Sequence, residues 1–276
     1  MLITIPSCDS ASIIGDSFRS VGAWPVMVVD NASEDGSVAL ARELLPQAQI
    51  ITRAQRLSRV SSWQSVIDNF LTSNANWMKW LFAGDTLFAP AVHDIQNAIE
   101  AYPEARLVVC NYIAVEEAKR WQWRPPALTG TKLLHPQESM LMVAKYANWF
   151  GPPLAHCIHR EALSEVTIPD GFSWCADGAF CLAIASRYPV LYLDVNVGEF
   201  HVSKRRYFSA REGSPEAIFE ESLLRLRALE FLQEHDSHAD LMSSIQFDAF
   251  KRLVKRGELN VAGHIFDKAK RLIGGK

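Results

Sequence analysis

Residues 25–37 read Pro25-Val26-Met27-Val28-Val29-Asp30-Asn31-Ala32-Ser33-Glu34-Asp35-Gly36-Ser37, and this stretch decides the fold. Its first part is a short β-branched run, the pattern of a strand. Its second part is dense in Asp, Asn, Ser and Gly, residues that turn the chain and cap helices. Ser33 is placed to cap a helix carrying Val38, Ala41 and Leu45 on one side. Strand, polar turn and amphipathic helix together make half of a βαβ unit.

The same alternation extends in both directions. Residues 2–5 read as a first strand, and Asp9 and Ser10 can cap a helix with Ile14, Phe18 and Val21 on one face. Residues 49–52 read as a third strand, followed by a helix from about residue 60 that buries Trp63, Ile67 and Phe70. Residues 77–82 give a fourth strand, then a helix with Val92, Ile95, Ile99 and Tyr102. Residues 106–112 give a fifth. This pattern predicts an α/β fold with a mostly parallel sheet flanked by helices. After Ala114 the regularity breaks, and Trp121, Trp123, Pro125, Pro126 and Gly130 predict an irregular excursion. Helices are expected over 138–149, where Phe150-Gly151-Pro152-Pro153 stops the chain, and over 177–187, with a strand at 190–193. Three further helices, at 217–234, 239–255 and 261–272, predict a helical C-terminal extension.

Composition narrows the function. The chain has 276 residues, 49% of them apolar, enough to bury a full core. A net charge of −3 argues against a general nucleic-acid binder, so no nucleic-acid partner is expected. The five cysteines are odd in number and none forms a Cys-x-x-Cys pair, which fits a reducing compartment. The first residues, Met-Leu-Ile-Thr-Ile-Pro, lack a basic signal-peptide region, and no apolar run approaches the ~20 residues of a membrane helix. A cytoplasmic location follows, with peripheral contact to the inner face of the membrane open. Eight Lys/Arg between Lys251 and Lys276 would suit anionic lipid, or simply form a solvated outer face.

In an open α/β sheet, ligands bind beyond the carboxyl ends of the strands. The most suggestive polar groups fall there: Pro6, Ser7 and Asp9 after the first strand; Asp30, Asn31, Ser33 and Asp35 after the second; Gly84 and Asp85 after the fourth. Singly, each can be a turn or capping residue; together they outline a pocket. Neither Gly-x-Gly-x-x-Gly nor Gly-x-x-x-x-Gly-Lys-Ser/Thr occurs after the first strand. Dinucleotide oxidoreductases and P-loop ATPases therefore lose their main support. Arg56 and Arg59 follow the third strand, as diphosphate contacts or as a solvated basic loop. The run His156-Cys157-Ile158-His159 lacks a second pair at zinc-site spacing and is not read as a metal site. Trp149 and Phe150 are read as core. Trp121 and Trp123 are either core or platforms for sugar faces.

The segment Val28 to Ser37 resembles the "VVDNGSTDGS" signature of family 2 glycosyltransferases, which have the GT-A fold. Further likenesses follow in the family's order. Ile5-Pro6-Ser7-Cys8-Asp9 resembles its opening "iPtyN" segment, and Trp80-Leu81-Phe82-Ala83-Gly84-Asp85-Thr86-Leu87 its metal-site strand in the form "fLnaGDxl". Trp174-Cys175-Ala176-Asp177-Gly178 resembles the segment with the "ED" acceptor-side acid, and His201, ahead of Ser203 and Ser209, the late "H…S" segment. The resemblance covers about residues 2–210. It implies a glycosyltransferase domain at 1–210, with a nucleotide-sugar donor half at 1–115 and an acceptor half at 116–210, followed by the extension at 211–276.

The resemblance also implies roles. Asp30 would meet the donor's nucleobase, with Pro6, Ser7, Asp9, Asn31, Ser33, Asp35, Arg59 and Gly84 around the donor. Asp85 would hold one divalent cation, Mg²⁺ or Mn²⁺, on the donor diphosphate. Ala83 and Gly84 stand where the family often has further acids, so Asp85 is left alone, with His201 as a possible second ligand. Asp177 would be the base that deprotonates the acceptor, or would cap its helix, or both; its position implies inversion. Lys204-Arg205-Arg206 could close over the diphosphate or form a solvated face. The expected donor is a UDP-sugar and the expected acceptor a saccharide or lipid-linked sugar, in bacterial polysaccharide, lipopolysaccharide or glycolipid synthesis. The reduced acid cluster keeps a rival open: a non-catalytic GT-A-like protein that binds a nucleotide or a partner. A nucleotidyltransferase lacks its glycine-rich phosphate loop and ranks last.

Overall fold

The structure, a computed structural model, describes residues 1–169, 171–172, 174–202 and 214–233. The strands are β1 (Leu2–Ser7), β2 (Val26–Asp30), β3 (Gln49–Thr52), β4 (Trp77–Trp80), β5 (Thr86–Leu87), β6 (Leu107–Glu116), β7 (Lys119–Trp123), β8 (Lys132–Leu134), β9 (His156–His159) and β10 (Val190–His201). The helices are α1 (Ile14–Ser20), α2 (Ser37–Leu44), α3 (Arg59–Leu71), α4 (Ala89–Ala101), α5 (Pro136–Tyr146), α6 (Arg160–Glu165), α7 (Ala176–Ala185) and α8 (Pro215–Gln233).

One ten-stranded sheet runs through the molecule in the order β3-β2-β1-β4-β9-β6-β10-β5, with β7 on β6 and β8 on β10. The pairs β3/β2, β2/β1, β1/β4 and β6/β10 are parallel, and β9 lies antiparallel between β4 and β6. The six strands β1, β2, β3, β4, β6 and β10 therefore point the same way. Alternation along each strand feeds two apolar layers. On β2, Met27 and Val29 join the core beneath α3, α5, α7 and α8, while Val26 and Val28 join the opposite core with α1, α2 and α4. Trp149 and Phe150 are fully buried, as expected. Leu224, Ala228, Leu229 and Leu232 of α8 lie in the same core as Met140 and Val143 of α5.

The first half follows the expected alternation of strands and helices. Beyond it, β8, β9 and α6 form where the sequence predicts no element, and two expected segments differ from their prediction. Residues 119–123, expected to be irregular, form β7, paired antiparallel with β6 from Tyr112↔Trp123 to Glu116↔Lys119. Four of its five residues are exposed, so no apolar alternation marks it; the ladder with β6 makes it a strand. The late strand extends from the expected 190–193 to His201, because β10 keeps β6 as a partner to His201 and gains β5 at Gly198 and Glu199. Register shifts around Asn196 break its period of two and hide its length. Smaller shifts occur at helix starts: α2 begins at Ser37, since Ser33 is engaged elsewhere, and α5 begins at Pro136 in a capping box of His135 and Glu138. The helices expected at 239–255 and 261–272, together with Ser203, Ser209 and Lys204-Arg205-Arg206, lie outside the described residues.

Lys79 of β4 is fully buried. Its ammonium donates to the carbonyls of Trp80 at 3.1 Å, His156 at 3.2 Å and Leu154. Three acceptors use the three donors of the ammonium, which is what lets a cation sit inside a sheet.

Candidate functional site

The loops after β1, β2 and β3 are tied into one rim. Ser7 stands in register with Asp30, and the Asn31 N–H donates to the Ser7 carbonyl at 2.8 Å. Asp30 is buried. Its carboxylate accepts from the Ser33 backbone N–H at 2.8 Å and from the Ser33 hydroxyl. The Ser33 oxygen in turn accepts the Asp9 N–H at 2.9 Å. Asp9 accepts the Glu34 N–H at 2.8 Å and pairs with Arg56, whose guanidinium also reaches the Ala32 carbonyl at 3.2 Å. These hydrogen bonds, first from Glu34 N–H and then from Arg56, hold the Asp9 carboxyl below the usual carboxylate range. Asp35 accepts from Ala11 N–H and Ser37 N–H, both at 2.9 Å, and from the Ser37 hydroxyl. Partial burial opposes its ionisation, but these bonds outweigh that and leave its pKa lowered. Asn31 exchanges two hydrogen bonds with the Leu57 backbone, at 2.8 and 3.0 Å.

The rim therefore uses its polar side chains on its own backbone, which fixes the loops before any ligand arrives. A carboxylate has about four lone-pair positions, so two bonds from Ser33 leave Asp30 capacity for a further donor. The rim carries backbone strain: Asp9 has φ +43° and Ala32 φ +54°, in the left-handed region.

The second element of the site is the turn between β4 and β5. Gly84, at φ +87°, donates its N–H to Ser17 Oγ at 2.9 Å, and the Asp85 N–H donates to the Phe82 carbonyl at 3.0 Å. Asp85 is buried, and its carboxylate accepts the backbone N–H of His201 at 3.0 Å. The approach depends on β5 pairing with β10 through Gly198↔Leu87 and Glu199↔Thr86. The imidazole of His201 faces Glu199, Nε2 to carboxylate 3.4 Å, and Glu199 also pairs with Arg120 of β7.

The third element is Asp177, in the first turn of α7. Its carboxylate accepts from Gly178 N–H at 2.7 Å and from the Asn148 side-chain amide at 3.3 Å. It is half-buried. Burial pushes its pKa up to about 6, opposed by the Gly178 N–H and the positive charge of Arg59, and assisted by Glu220. Arg59 opens α3, so its charge reaches Asp177 from the loop that follows β3. Its guanidinium lies 5.3 Å over the Trp63 ring.

Against solved structures, the chain is similar to S. aureus TarS 1-349 in complex with UDP-GlcNAc, with a TM-score of 0.71 and 12% identity, over 98% of this chain and 80% of that one. It is similar to mannosyltransferase PcManGT from Pyrobaculum calidifontis in complex with GDP-Man and Mn2+, with a TM-score of 0.55 and 15% identity, over 97% and 74%. It is also similar to mannosyl-3-phosphoglycerate synthase from Rubrobacter xylanophilus, with a TM-score of 0.52 and 16% identity, over 86% and 77%. The fold is GT-A. No family model matches the chain, and no curated protein matches it.

Within this GT-A frame, Pro6, Ser7, Asp9, Asp30, Asn31, Ser33 and Asp35 share one rim, and Arg59 opens α3 two residues after Leu57, which is bonded to Asn31 of that rim. Asp85 and His201 are brought together, by way of the His201 backbone rather than its ring. As for a cation, no group of three His, Cys, Asp or Glu among the described residues is arranged to hold one. Asp85 with His201 makes a two-residue set at most, which suits an ion completed by phosphate oxygens and water rather than a preformed cage. Trp121 is exposed on β7, while Trp123 stacks on Tyr112 at 4.9 Å. His156 and His159 fall in β9 and belong to sheet packing; burial holds the His156 pKa down at about 3. All five cysteines are free. Sequence reasoning missed Glu199, Asn148 and Glu220. Glu199 had a signal, since it lies two residues before His201 and so on the same strand face. The other two had none.

Proposed function

We propose that the chain is a nucleotide-sugar-dependent glycosyltransferase of the family 2 type, inverting and assisted by a divalent cation. The observation that carries this reading is the arrangement of the two ends of the site. A prearranged loop rim bearing Asp30 stands at the carboxyl edge of the GT-A sheet, and Arg59 at its border acts electrostatically on Asp177. The donor half is residues 1–115, the acceptor half 116–210, and 211–276 the extension, from which α8 packs on α5.

The donor is a nucleoside diphosphate sugar, with UDP as the base-bearing carrier. Asp30 accepts an N–H of the base, and Ser7, Asn31, Ser33 and Arg59 border the donor. Mg²⁺ or Mn²⁺ would be held by Asp85 and His201 together with donor oxygens, and when bound it supplies charge neutralisation at the leaving diphosphate. The acceptor hydroxyl, of a saccharide or lipid-linked sugar, attacks the anomeric carbon from the face opposite the diphosphate. The new C–O bond forms as the old one breaks, its electron pair leaving on the β-phosphate oxygen. Asp177 takes the hydroxyl proton. With a pKa of about 6, it is ionised at neutral pH yet a stronger base than an ordinary aspartate. No described helix is long and apolar enough to cross a membrane. A cytoplasmic enzyme that meets its acceptor at the inner membrane face fits this reading, as does a place in bacterial polysaccharide, lipopolysaccharide or glycolipid synthesis.

Calorimetry with UDP, GDP and TDP, with and without Mn²⁺, tests it, followed by a thermal-shift screen of nucleotide sugars. Binding of at least one nucleotide, strengthened by metal, is expected; failure of all three removes the donor site. A second reading, a non-catalytic GT-A-like nucleotide- or partner-binding protein, draws on the absence of a three-ligand cluster among the described residues. Nucleotide binding without any transfer would favour it.

A further inference from the structure

Glu220 of α8 is buried, and one of its carboxylate oxygens accepts two backbone N–H groups, those of Trp174 and Cys175, each at 2.7 Å. Those two residues are the entry to α7. Cys175 is its N-cap position and makes no side-chain capping bond. The N-terminus of a helix leaves N–H groups without intrahelical partners, and a local Ser, Thr, Asp or Asn commonly satisfies them. Here a carboxylate from a helix 45 residues further along does so at the α7 entry. Asp177 follows two residues after the clamped Cys175, and the next residue, Gly178, packs on Asn148 so closely that a Cβ would stand 2.7 Å from the Asn148 carboxamide carbon. The oxygen of that carboxamide, Asn148 Oδ1, is buried and has no hydrogen-bond partner.

We propose that Glu220 is a positioning residue for Asp177: it clamps the two N–H groups at the entry to α7 and so seats the turn that carries the carboxylate against Asn148. The consequence is that α8 is part of the acceptor-side machinery. Mere packing of a C-terminal helix would not require a buried acid at this point, since burying an ionised carboxylate is costly unless it meets strong donors. The charged groups acting on Asp177 are Arg59 from α3 and Glu220 from α8, while Asp177 itself helps hold up the thiol pKa values of Cys175, at the entry to α7, and Cys181, in its body. Of these, Arg59 favours the ionised form and Glu220 the protonated one. This inference takes the role of Asp177 from the function proposed above, but its test needs no substrate.

The test is a ¹³C-carboxyl NMR titration of Asp177 in the full-length protein, assigned with Asp177→Asn, in wild type and Glu220→Gln. The glutamine carbonyl can still accept both N–H groups, so the fold is kept while the charge is gone. The Asp177 titration is expected to move down, while the Trp174 and Cys175 amides keep the slow exchange of the wild type. In a transfer assay the acidic limb of the pH profile should move with it. Glu220→Asp, one methylene shorter, keeps the charge but cannot keep the clamp. It should lower kcat with little change in KM for the donor. Exchange of the Trp174 and Cys175 amides as slow in Glu220→Asp as in wild type overturns the proposal. Should neither variant fold, hydrogen exchange on the wild type decides: slow exchange at Trp174 and Cys175 is expected, and loop-like exchange at both overturns it. Absence of nucleotide binding, with amide exchange at Trp174 and Cys175 slow in wild type and fast in Glu220→Asp, would remove the glycosyltransferase reading while leaving the clamp.

Discussion

The carboxylate of Asp85 accepts the backbone N–H of His201 at 3.0 Å, across 116 positions of sequence. The bond buckles together the turn after β4 and the last residue of β10. Asp85→Asn retains an acceptor for that N–H and is expected to fold normally, while losing the metal-dependent part of nucleotide binding in calorimetry. Asp85→Ala removes the acceptor as well and should also cost about 1–3 kcal/mol of stability. Unchanged metal dependence in both variants would move the cation elsewhere.

Gly198 makes this meeting possible. A Cβ there would stand 1.9 Å from the Thr86 carbonyl oxygen, a backbone atom that cannot step aside. Gly198→Ala should therefore part β5 from β10, destabilise the protein by more than about 2 kcal/mol in urea unfolding, and weaken nucleotide binding in the same variant. Full stability and binding would show that the two strands separate without consequence.

Asp177 sets activity against stability. Its pKa is raised from 3.8 to about 6 in the folded protein, so the folded state holds the proton more tightly than the unfolded chain does. The associated stability is present below about pH 4 and is lost as pH rises through 6. Asp177→Asn carries no such loss. Its stability relative to wild type should grow between pH 4 and 6 and then level off, by about 1–3 kcal/mol. Transfer should fall by about 10²–10⁴-fold with nucleotide binding spared. Denaturant unfolding at pH 4, 5, 6 and 8 measures the first, and a flat difference would contradict it.

Lys79 behaves in the opposite sense. Burial lowers its pKa from 10.5 to about 8, so between these values the unfolded chain binds more protons and folding gains stability as pH rises. Lys79→Met leaves three buried carbonyls without their donor and should cost about 2–4 kcal/mol at pH 7. The gap between wild type and variant is expected to widen from pH 8 to 10 in thermal or urea unfolding.

Ala32 occupies the left-handed region at φ +54°, where the resembled family signature carries glycine. Ala32→Gly should relieve the Cβ strain and raise stability by about 0.5–1 kcal/mol, read as a higher Tm. A lower Tm would mean that the entropy of the unfolded glycine outweighs the strain.

The polar loop rim at the carboxyl edge of the sheet was legible in the amino-acid sequence because its information is local. Each strand is a short apolar run, each is followed at once by its own polar turn, and parallel strands with intervening helices must present those turns at one edge. Asp30, Ser33, Asp35, Asp9 and Asp85 could thus be placed at that edge before any coordinate was known. The turns resolved differently in detail: Ser33, expected to cap α2, instead ties Asp30 to Asp9, a choice that depends on the neighbouring β1 loop. The second half of the chain was less legible because its order comes from pairing. β7 is exposed and carries no apolar alternation, β10 is broken by register shifts, and β9 enters the sheet antiparallel between two strands, β4 and β6, that both precede it in the chain. Only the tertiary structure decided that Asp85 meets the His201 backbone and that Glu220 reaches the entry to α7. It also decided that Asp177 is desolvated enough to become a stronger base. Hydrogen bonds and desolvation act over a few ångströms in space, whereas sequence patterns report periodicity along the chain.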